Sequence, residues 1–577
     1  MKKPRKYFQI EKIFIVLITF LAFFLRFYNL NSFPPGLGRD EVSVAYNAYS
    51  ILKTAKDEHG RKLPVYFEAI GDQKLPVIVY ISVPSIYLFG LNELGSRFPF
   101  ALFGSLTIPL LYLLLKEAEK RTGENKTTFS LFASFILAVN PWHIAHSRAV
   151  YEICLGTFFF TAAIYFFYKG LQSRKWMFWS VGFFIIAFYS YSMTRLLSPL
   201  IFLYLCFLYK KEISSYNKKT ISGLILFSVI LLIPFFITFF DSGGIYGPSA
   251  AVITSSAKVK ASITEFRSYV AASPLFFLGP LLFNRVIMTF YEYGKNMLTA
   301  LSPGFYFANG SDMAGIGTNG QFFMLEIIPF IAGVVIFVKK GIKKNLFALT
   351  VLGWAALTFM TASLTIGPPY ATRTLFSAVP IAIIIGQGWL SIINFLRNKK
   401  RLFDLAKIII LTAYIWHFTF YLVSYYFRFP VVYAKNWEAK TKELFEYLGK
   451  IEGDFDRIVI TKPENSMYAF LLFYHKIPPE SVWDGLIRYL PDAEGWPHGK
   501  SFGKYEFRPI DWSKDLRLEE NIVLVSGGDE YAEHVVVDKE IMYPTRYTVF
   551  NNGYEVISIP ENKPAYRIWL NKNRKQL

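Results

Sequence analysis

Ile13-Phe14-Ile15-Val16-Leu17-Ile18-Thr19-Phe20-Leu21-Ala22-Phe23-Phe24-Leu25-Arg26-Phe27-Tyr28-Asn29-Leu30 runs straight into Asn31-Ser32-Phe33-Pro34-Pro35-Gly36-Leu37-Gly38-Arg39-Asp40-Glu41. The first part is close to the roughly 20 apolar residues that a helix needs to cross a bilayer. The second part ends that helix, because Pro-Pro-Gly cannot continue it. It then delivers two adjacent carboxylates at about membrane-surface depth. Ionised groups are costly beside lipid, so paired acids here mark a working site.

Composition agrees with a membrane protein. Of 577 residues, 53% are hydrophobic and only 18% charged, which excludes a disordered or fibrous chain. The formal charge of +20 raises nucleic acid as a partner. However, the Lys and Arg residues sit in short clusters between apolar runs, as topology signals do, and no basic stripe with interleaved aromatics stands apart from them. No nucleic-acid partner is expected. Cys154 and Cys206 lie inside apolar runs without a C-x-x-C neighbour, so they read as small buried hydrophobes rather than a disulfide or zinc framework. Met1-Lys2-Lys3-Pro4-Arg5-Lys6 resembles the start of a signal peptide. The run after it has no small-residue cleavage site, so it reads as an uncleaved first helix.

Eleven apolar segments read as spans: 13–30, 98–116, 128–146, 154–171, 176–192, 196–209, 219–240, 322–338, 345–363, 375–396 and 405–427. Under this count every basic cluster falls on one side, from Lys2/Lys3/Arg5/Lys6 through Lys116/Lys120/Arg121 to Arg397/Lys399/Lys400/Arg401. The N-terminus is then cytoplasmic and Asp40-Glu41 lies outside. Leu75 to Leu91 is short, holds Pro76 and Pro84, and reads as a helix lying in the outer interface. The segment 241–320 is also outside, with Ser273 to Phe290 as a surface or re-entrant helix. Two domains follow: a transmembrane domain at 1–430, with its first outer loop at 31–97, and an extracytoplasmic α/β domain at 431–577. The second rests on strand-like 457–461 and 521–525 flanking a helical 468–474.

If this topology holds, one face collects Asp40, Glu41, Asp72-Gln73-Lys74-Leu75-Pro76, Arg97, the run Asn140-Pro141-Trp142-His143-Ile144-Ala145-His146-Ser147-Arg148, Tyr151-Glu152, Arg195 and Tyr370-Ala371-Thr372-Arg373. Such a set suits glycosyl transfer from a polyprenyl-phosphate sugar. The departing phosphate needs only a cation to hold its charge, whether Lys, Arg or a divalent metal. The acceptor hydroxyl needs one carboxylate as base, and a single displacement inverts the anomeric carbon. Each residue also has a plainer reading. Asp40 can cap the helix that follows. The cations can snorkel to headgroups. His143 and His146, at i and i+3, can share a metal, although hydrogen bonding fits two histidines and one nearby acid better.

Taken in order, these segments resemble the GT-C superfamily of membrane glycosyltransferases, and within it glycosyltransferase family 39. That family includes the protein O-mannosyltransferases and the aminoarabinose transferases of lipid A. The likeness covers roughly 1–430 and is carried by Gly38-Arg39-Asp40-Glu41, Tyr46-Asn47-Ala48-Tyr49, Lys74-Leu75-Pro76, Gly90, Arg97-Phe98-Pro99, Gly104 and Asn140-Pro141-Trp142-His143. It implies Asp40 as catalytic base with Glu41 beside it in the catalytic pair, and Lys74, Arg97 and Arg373 at the donor phosphate. Glu41 and Glu152, with His143, His146 and Arg148, would position the acceptor or a cation. The family's late Pro-His-x-x-Arg pattern is Pro369-Tyr370-Ala371-Thr372-Arg373 here, so no His role carries over. The C-terminal domain does not look like the MIR domain of eukaryotic O-mannosyltransferases.

The expected protein is therefore a polytopic α-helical membrane enzyme of GT-C type. It takes a monosaccharide from a polyprenyl-phosphate donor to a glycan, lipid or protein hydroxyl outside the plasma membrane. No cofactor is required beyond a divalent cation, whose need is open. The rival readings are a transferase or polymerase using a pyrophosphate-linked oligosaccharide, a transporter or flippase, and a non-catalytic scaffold. Transporter acids belong near the bilayer midplane, whereas these gather at one surface.

Overall fold

The computed structural model describes residues 5–70, 72–122, 127–241, 253, 257–310, 319–365, 367, 370–397, 399–461, 466–490, 497–515, 521–527, 545–551 and 554–560. All eleven predicted segments coincide with helices. Six are long and apolar enough to cross a membrane: Glu93–Arg121, Glu152–Gly170, Lys218–Phe240, Leu346–Ser363, Ala371–Arg397 and Lys400–Val432. A bent pair makes seven if counted as one span. Lys175–Phe188 and Thr194–Leu208 are shorter apolar helices. Length and composition thus support a multi-pass membrane protein, with six or seven helices among the described residues long and apolar enough to cross.

Two compact units emerge. The first comprises Met1–Arg26, Leu102–Ser147 and Tyr151–Tyr421. It is a helical bundle in which Glu152–Gly170 packs on Lys175–Phe188, and Ile327–Ile342 on Ala378–Arg397. The last pair meet at backbone contact. A Cβ on Gly388 would strike the carbonyl of Pro329, so only glycine fits there.

The bent pair, Thr127–Val139 and Pro141–Ser147, turns by 57°. Pro141 has no N–H for the carbonyl of Leu137, so the ladder breaks. Asn140 restarts it, accepting from the His143 N–H at 2.8 Å. The orphaned carbonyls of Leu137 and Ala138 accept from fully buried Arg26 at 3.3 and 3.1 Å. That charge, inside an apolar run, is held by the broken end of a helix, where cations are favoured.

Within 241–320 the structure departs from expectation. Residues 273–290 do not form one helix. A short turn at Phe276–Leu278 and Gly279–Leu282 is followed by a new helix, Arg285–Leu301, whose N-cap Asn284 accepts from the Ile287 N–H at 3.0 Å. Positions 242–252, 254–256 and 311–318 lie outside the described residues.

The second unit joins three stretches distant in sequence: Phe27–Ala101, Arg148–Val150 and Leu422–Leu577. The linear division at 430 therefore separates segments that cluster together. The unit contains helix α1 (Arg39–Thr54), the hairpin of β1 (Phe67–Ala69) and β2 (Asp72–Lys74), and helix α2 (Pro76–Phe89). With Pro76 at its first position and only 14 residues, α2 is about 21 Å long, too short to span.

Its sheet is built from β3 (Arg457–Ile460), β4 (Leu486–Arg488), β5 (Gly499–Phe502), β6 (Tyr505–Phe507), β7 (Ile522–Gly527), β8 (Thr545–Asn551) and β9 (Tyr554–Pro560), in the order β4-β5-β6-β3-β7-β8-β9. β3 runs parallel to both β6 and β7. Ile458–Ile460 and Ile522–Ser526 are buried without alternation, as central parallel strands require. The buried helix Met467–Tyr474 packs on α1, and the Tyr46 hydroxyl donates to the Ile477 carbonyl at 2.9 Å. Residues 528–544 and 561–577 of the expected α/β domain lie outside the described residues.

Candidate active site

The loop 31–38 must turn the chain from the helix Arg5–Phe27 into α1, and Arg97 organises it. All five of its N–H donors are engaged. Nη1 gives to the carbonyls of Leu30 and Pro34 at 3.2 and 3.0 Å, and Nη2 gives to Gly36. Nε and Nη2 each reach Glu41 at 3.0 Å, a bidentate pair. A guanidinium has five such protons, so none remains for a phosphate. The expected role of Arg97 at the donor phosphate is replaced by that of a buried loop clamp.

Glu41 is equally occupied. Oε1 accepts from Arg97 and the Val150 N–H at 3.1 Å, while Oε2 accepts from Arg97 and the Gly38 N–H at 2.9 Å. It is 3% exposed. With its lone pairs filled and water excluded, Glu41 holds the start of α1 rather than acting on a substrate. The cap is Gly38, so Asp40 stands inside the first turn and does not cap the helix.

Adjacent residues on a helix point about 100° apart, so fixing Glu41 inward turns Asp40 away. The Asp40 side chain is 51% exposed and lies 3.6 Å from the Lys74 Nζ, itself only 8% exposed. The β1–β2 hairpin supplies that lysine from the last residue of β2, just before Pro76 starts α2. A solvated carboxylate beside a largely buried ammonium offers a proton acceptor and a cation at one place.

Gly36 lets the loop close. It sits at φ +80°, and a Cβ there would stand 2.5 Å from the Trp437 carbonyl and 2.9 Å from the Ala439 Cα. Gly36→Ala is expected to cost more than about 1 kcal/mol, read as a lower unfolding temperature in detergent.

Arg148 also binds the loop. Its Nη2 donates to the carbonyls of Tyr28 and Phe33 at 2.8 and 3.3 Å, and its guanidinium lies 5.5 Å from the rings of Tyr425 and Tyr426. It is fully buried, which removes it from acceptor positioning at a surface. On α1, Tyr46 has its phenol pushed above the ordinary range, first by burial and then by the charge of Glu58.

The remaining candidates belong to the first unit. His143 and His146 are fully buried and hydrogen-bond to different partners. Arg26 donates to His143 Nδ1 at 2.9 Å, which leaves the ring proton on Nε2. His146 Nδ1 meets the Trp142 carbonyl at 3.0 Å, and its Nε2 lies 3.4 Å from Thr372 Oγ1. Both rings brace the broken helix. Among the described residues no group of three His, Cys, Asp or Glu side chains has metal-binding proximity.

Arg373 is half-buried, donates to Thr365 Oγ1 at 2.9 Å, and lies 4.7 Å from the ring of Tyr370. Pro369 lies outside the described residues. Glu152 is half-buried at the first position of the helix Glu152–Gly170, and Arg195 lies 5.1 Å from the Phe235 ring. Arg26 and Glu58 escaped the sequence reading. The signal for Arg26 was a lone cation inside the first apolar run. Glu58 is 1% exposed, with His59 Nε2 at 3.3 Å.

The family model described as "Dolichyl-phosphate-mannose-protein mannosyltransferase" matches residues 16–240. An uncharacterized protein of Aquifex aeolicus (strain VF5) is 33% identical over 172 residues, 30% of this chain and 32% of that one. YkcB of Bacillus subtilis (strain 168) is 25% identical over 177 residues, 30% of this chain and 23% of that one. This chain therefore spans a third or less of either relative. The crystal structure of ArnT from Cupriavidus metallidurans bound to undecaprenyl phosphate superposes with a TM-score of 0.48 at 12% identity, over 95% of this chain and 98% of that chain. The stretch that this family model matches, residues 16–240, holds Asp40, Glu41, Lys74 and Arg97.

Proposed function

We propose that this protein transfers a monosaccharide from a polyprenyl-phosphate donor to an acceptor hydroxyl at the outer face of the membrane. The reading rests chiefly on the exposed Asp40 carboxylate held 3.6 Å from Lys74 inside the family-matched segment. Asp40 takes the proton of the acceptor hydroxyl as that oxygen attacks the anomeric carbon. The bond from carbon to phosphate oxygen breaks, and polyprenyl phosphate leaves with one more negative charge than it carried as a diester. Lys74 offsets that charge. One displacement gives inversion. The resemblance alone assigns Arg373 as a second phosphate contact and Glu152 as an acceptor-side acid. The domains read as 1–430 in the membrane and 431–577 outside it, with the N-terminus cytoplasmic.

Purified protein supplied with polyprenyl-phosphate mannose and a simple glycoside acceptor tests this. The product should have the opposite anomeric configuration to the donor by NMR; retention would exclude the single-base mechanism, and absence of any transfer from monosaccharide donors would favour a pyrophosphate-linked one. Lys74→Gln is expected to lower kcat/KM for the donor by about 10–100-fold, the loss of one charge-assisted hydrogen bond.

A further inference from the structure

The helix Arg285–Leu301 is amphipathic in the inverse sense for a protein in water. Met288, Glu292, Asn296 and Ala300, spaced by four, are buried. On the other side Val286 is 65% exposed, Phe290 71% and Leu298 74%. The polar inner face has a task. Asn296 Nδ2 donates to the carbonyls of Ser363 and Thr365 at 3.2 and 3.0 Å. These lie at the C-terminal end of Leu346–Ser363, where no further turn supplies partners. Arg285–Leu301 therefore covers the end of a membrane-length helix, the end away from Lys343 and Lys344. Its exposed apolar outer face suits the depth at which acyl chains give way to headgroups.

That face is notched. Phe290, Gly294 and Leu298 form one stripe at four-residue spacing, and a Cβ on Gly294 would meet nothing within 4 Å among the described residues. The notch belongs to a groove of about 670 Å³, whose lining also includes Tyr291, Lys295 and Thr299 on the neighbouring stripe. Lys295 is exposed and forms no ion pair among the described residues. An unneutralised ammonium beside an apolar slot is complementary to a molecule that is anionic at one end and apolar along its length.

We propose that this groove binds an anionic phospholipid of the bilayer, with an acyl chain across Gly294 and the phosphate on Lys295. The proposal is independent of the transferase reading. It is tested by placing a photo-crosslinking residue in the groove, Leu298→p-benzoylphenylalanine, in the full chain. The protein is reconstituted in nanodiscs of phosphatidylglycerol and phosphatidylcholine at equal amounts with matched acyl chains. One lysine at the lipid surface favours anionic lipid by about fivefold. Mass spectrometry should therefore find phosphatidylglycerol adducts in about fivefold excess. Lys295→Ala should bring the ratio near one, and Lys295→Arg should keep it. Gly294→Leu should lower adducts of both lipids without shifting the unfolding temperature. A ratio near one with Lys295 present, or one that Lys295→Ala leaves unchanged, overturns the proposal.

Discussion

Asp40→Asn is expected to lower turnover by about 10²–10⁴-fold, the usual contribution of a positioned general base. The change keeps the shape of the side chain and removes its capacity to take a proton. Folding should be untouched, because the Asp40 carboxylate is half in solvent and its close cation is Lys74 at 3.6 Å. Single-turnover assays on protein with an unchanged unfolding temperature separate the two effects. Donor affinity should hold or rise, since Lys74 is freed from its carboxylate neighbour. Retention of more than a tenth of the turnover would move the base elsewhere and remove the central element of the proposed mechanism.

Arg97→Ala is expected to act through stability instead. It strands Glu41 as a buried charge and releases the carbonyls of Leu30, Pro34 and Gly36 together. Breaking one side of a buried pair costs about 3–5 kcal/mol, enough to lower the unfolding temperature markedly and reduce the yield of folded protein. Arg97→Lys should fail nearly as badly, because a single ammonium cannot serve a bidentate carboxylate and three carbonyls at once. Adding Glu41→Gln to Arg97→Ala should recover part of the loss by removing the unpaired charge. A phosphate ligand would behave differently: its loss would weaken donor binding while the unfolding temperature stayed put.

The division of labour between Asp40 and Glu41 was not legible from the chain. Pro34, Pro35 and Gly36 announce the break, and the two acids announce a site, because those signals are local. Which acid faces inward depends on Arg97 and on the Val150 N–H, 56 and 109 positions away in sequence. The roles expected of Arg97, Arg148, His143 and His146 shifted for the same reason. Each is a polar residue near a membrane surface, and sequence alone cannot tell a group that greets a substrate from one that satisfies buried carbonyls. The helical segments were readable as helices because long uninterrupted apolar runs are a strong local signal. Their number of crossings was less so, since 14 or 15 apolar residues can end inside the bilayer or lie along it. Asn284 shows how one capping side chain divides a run that hydropathy alone leaves continuous.

The weave of the second unit has a consequence for biogenesis. Its N-terminal part ends at Ala101, yet the partners that cover Gly36, Tyr46 and Asp57 are Trp437, Ile477 and Trp483. A ribosome adding ~5–20 residues per second needs about 17–76 s to travel from one to the other. During that interval the nascent loop waits without its cover, and a message cut short before Leu422 yields a chain that can insert its early helices but never close the loop around Asp40.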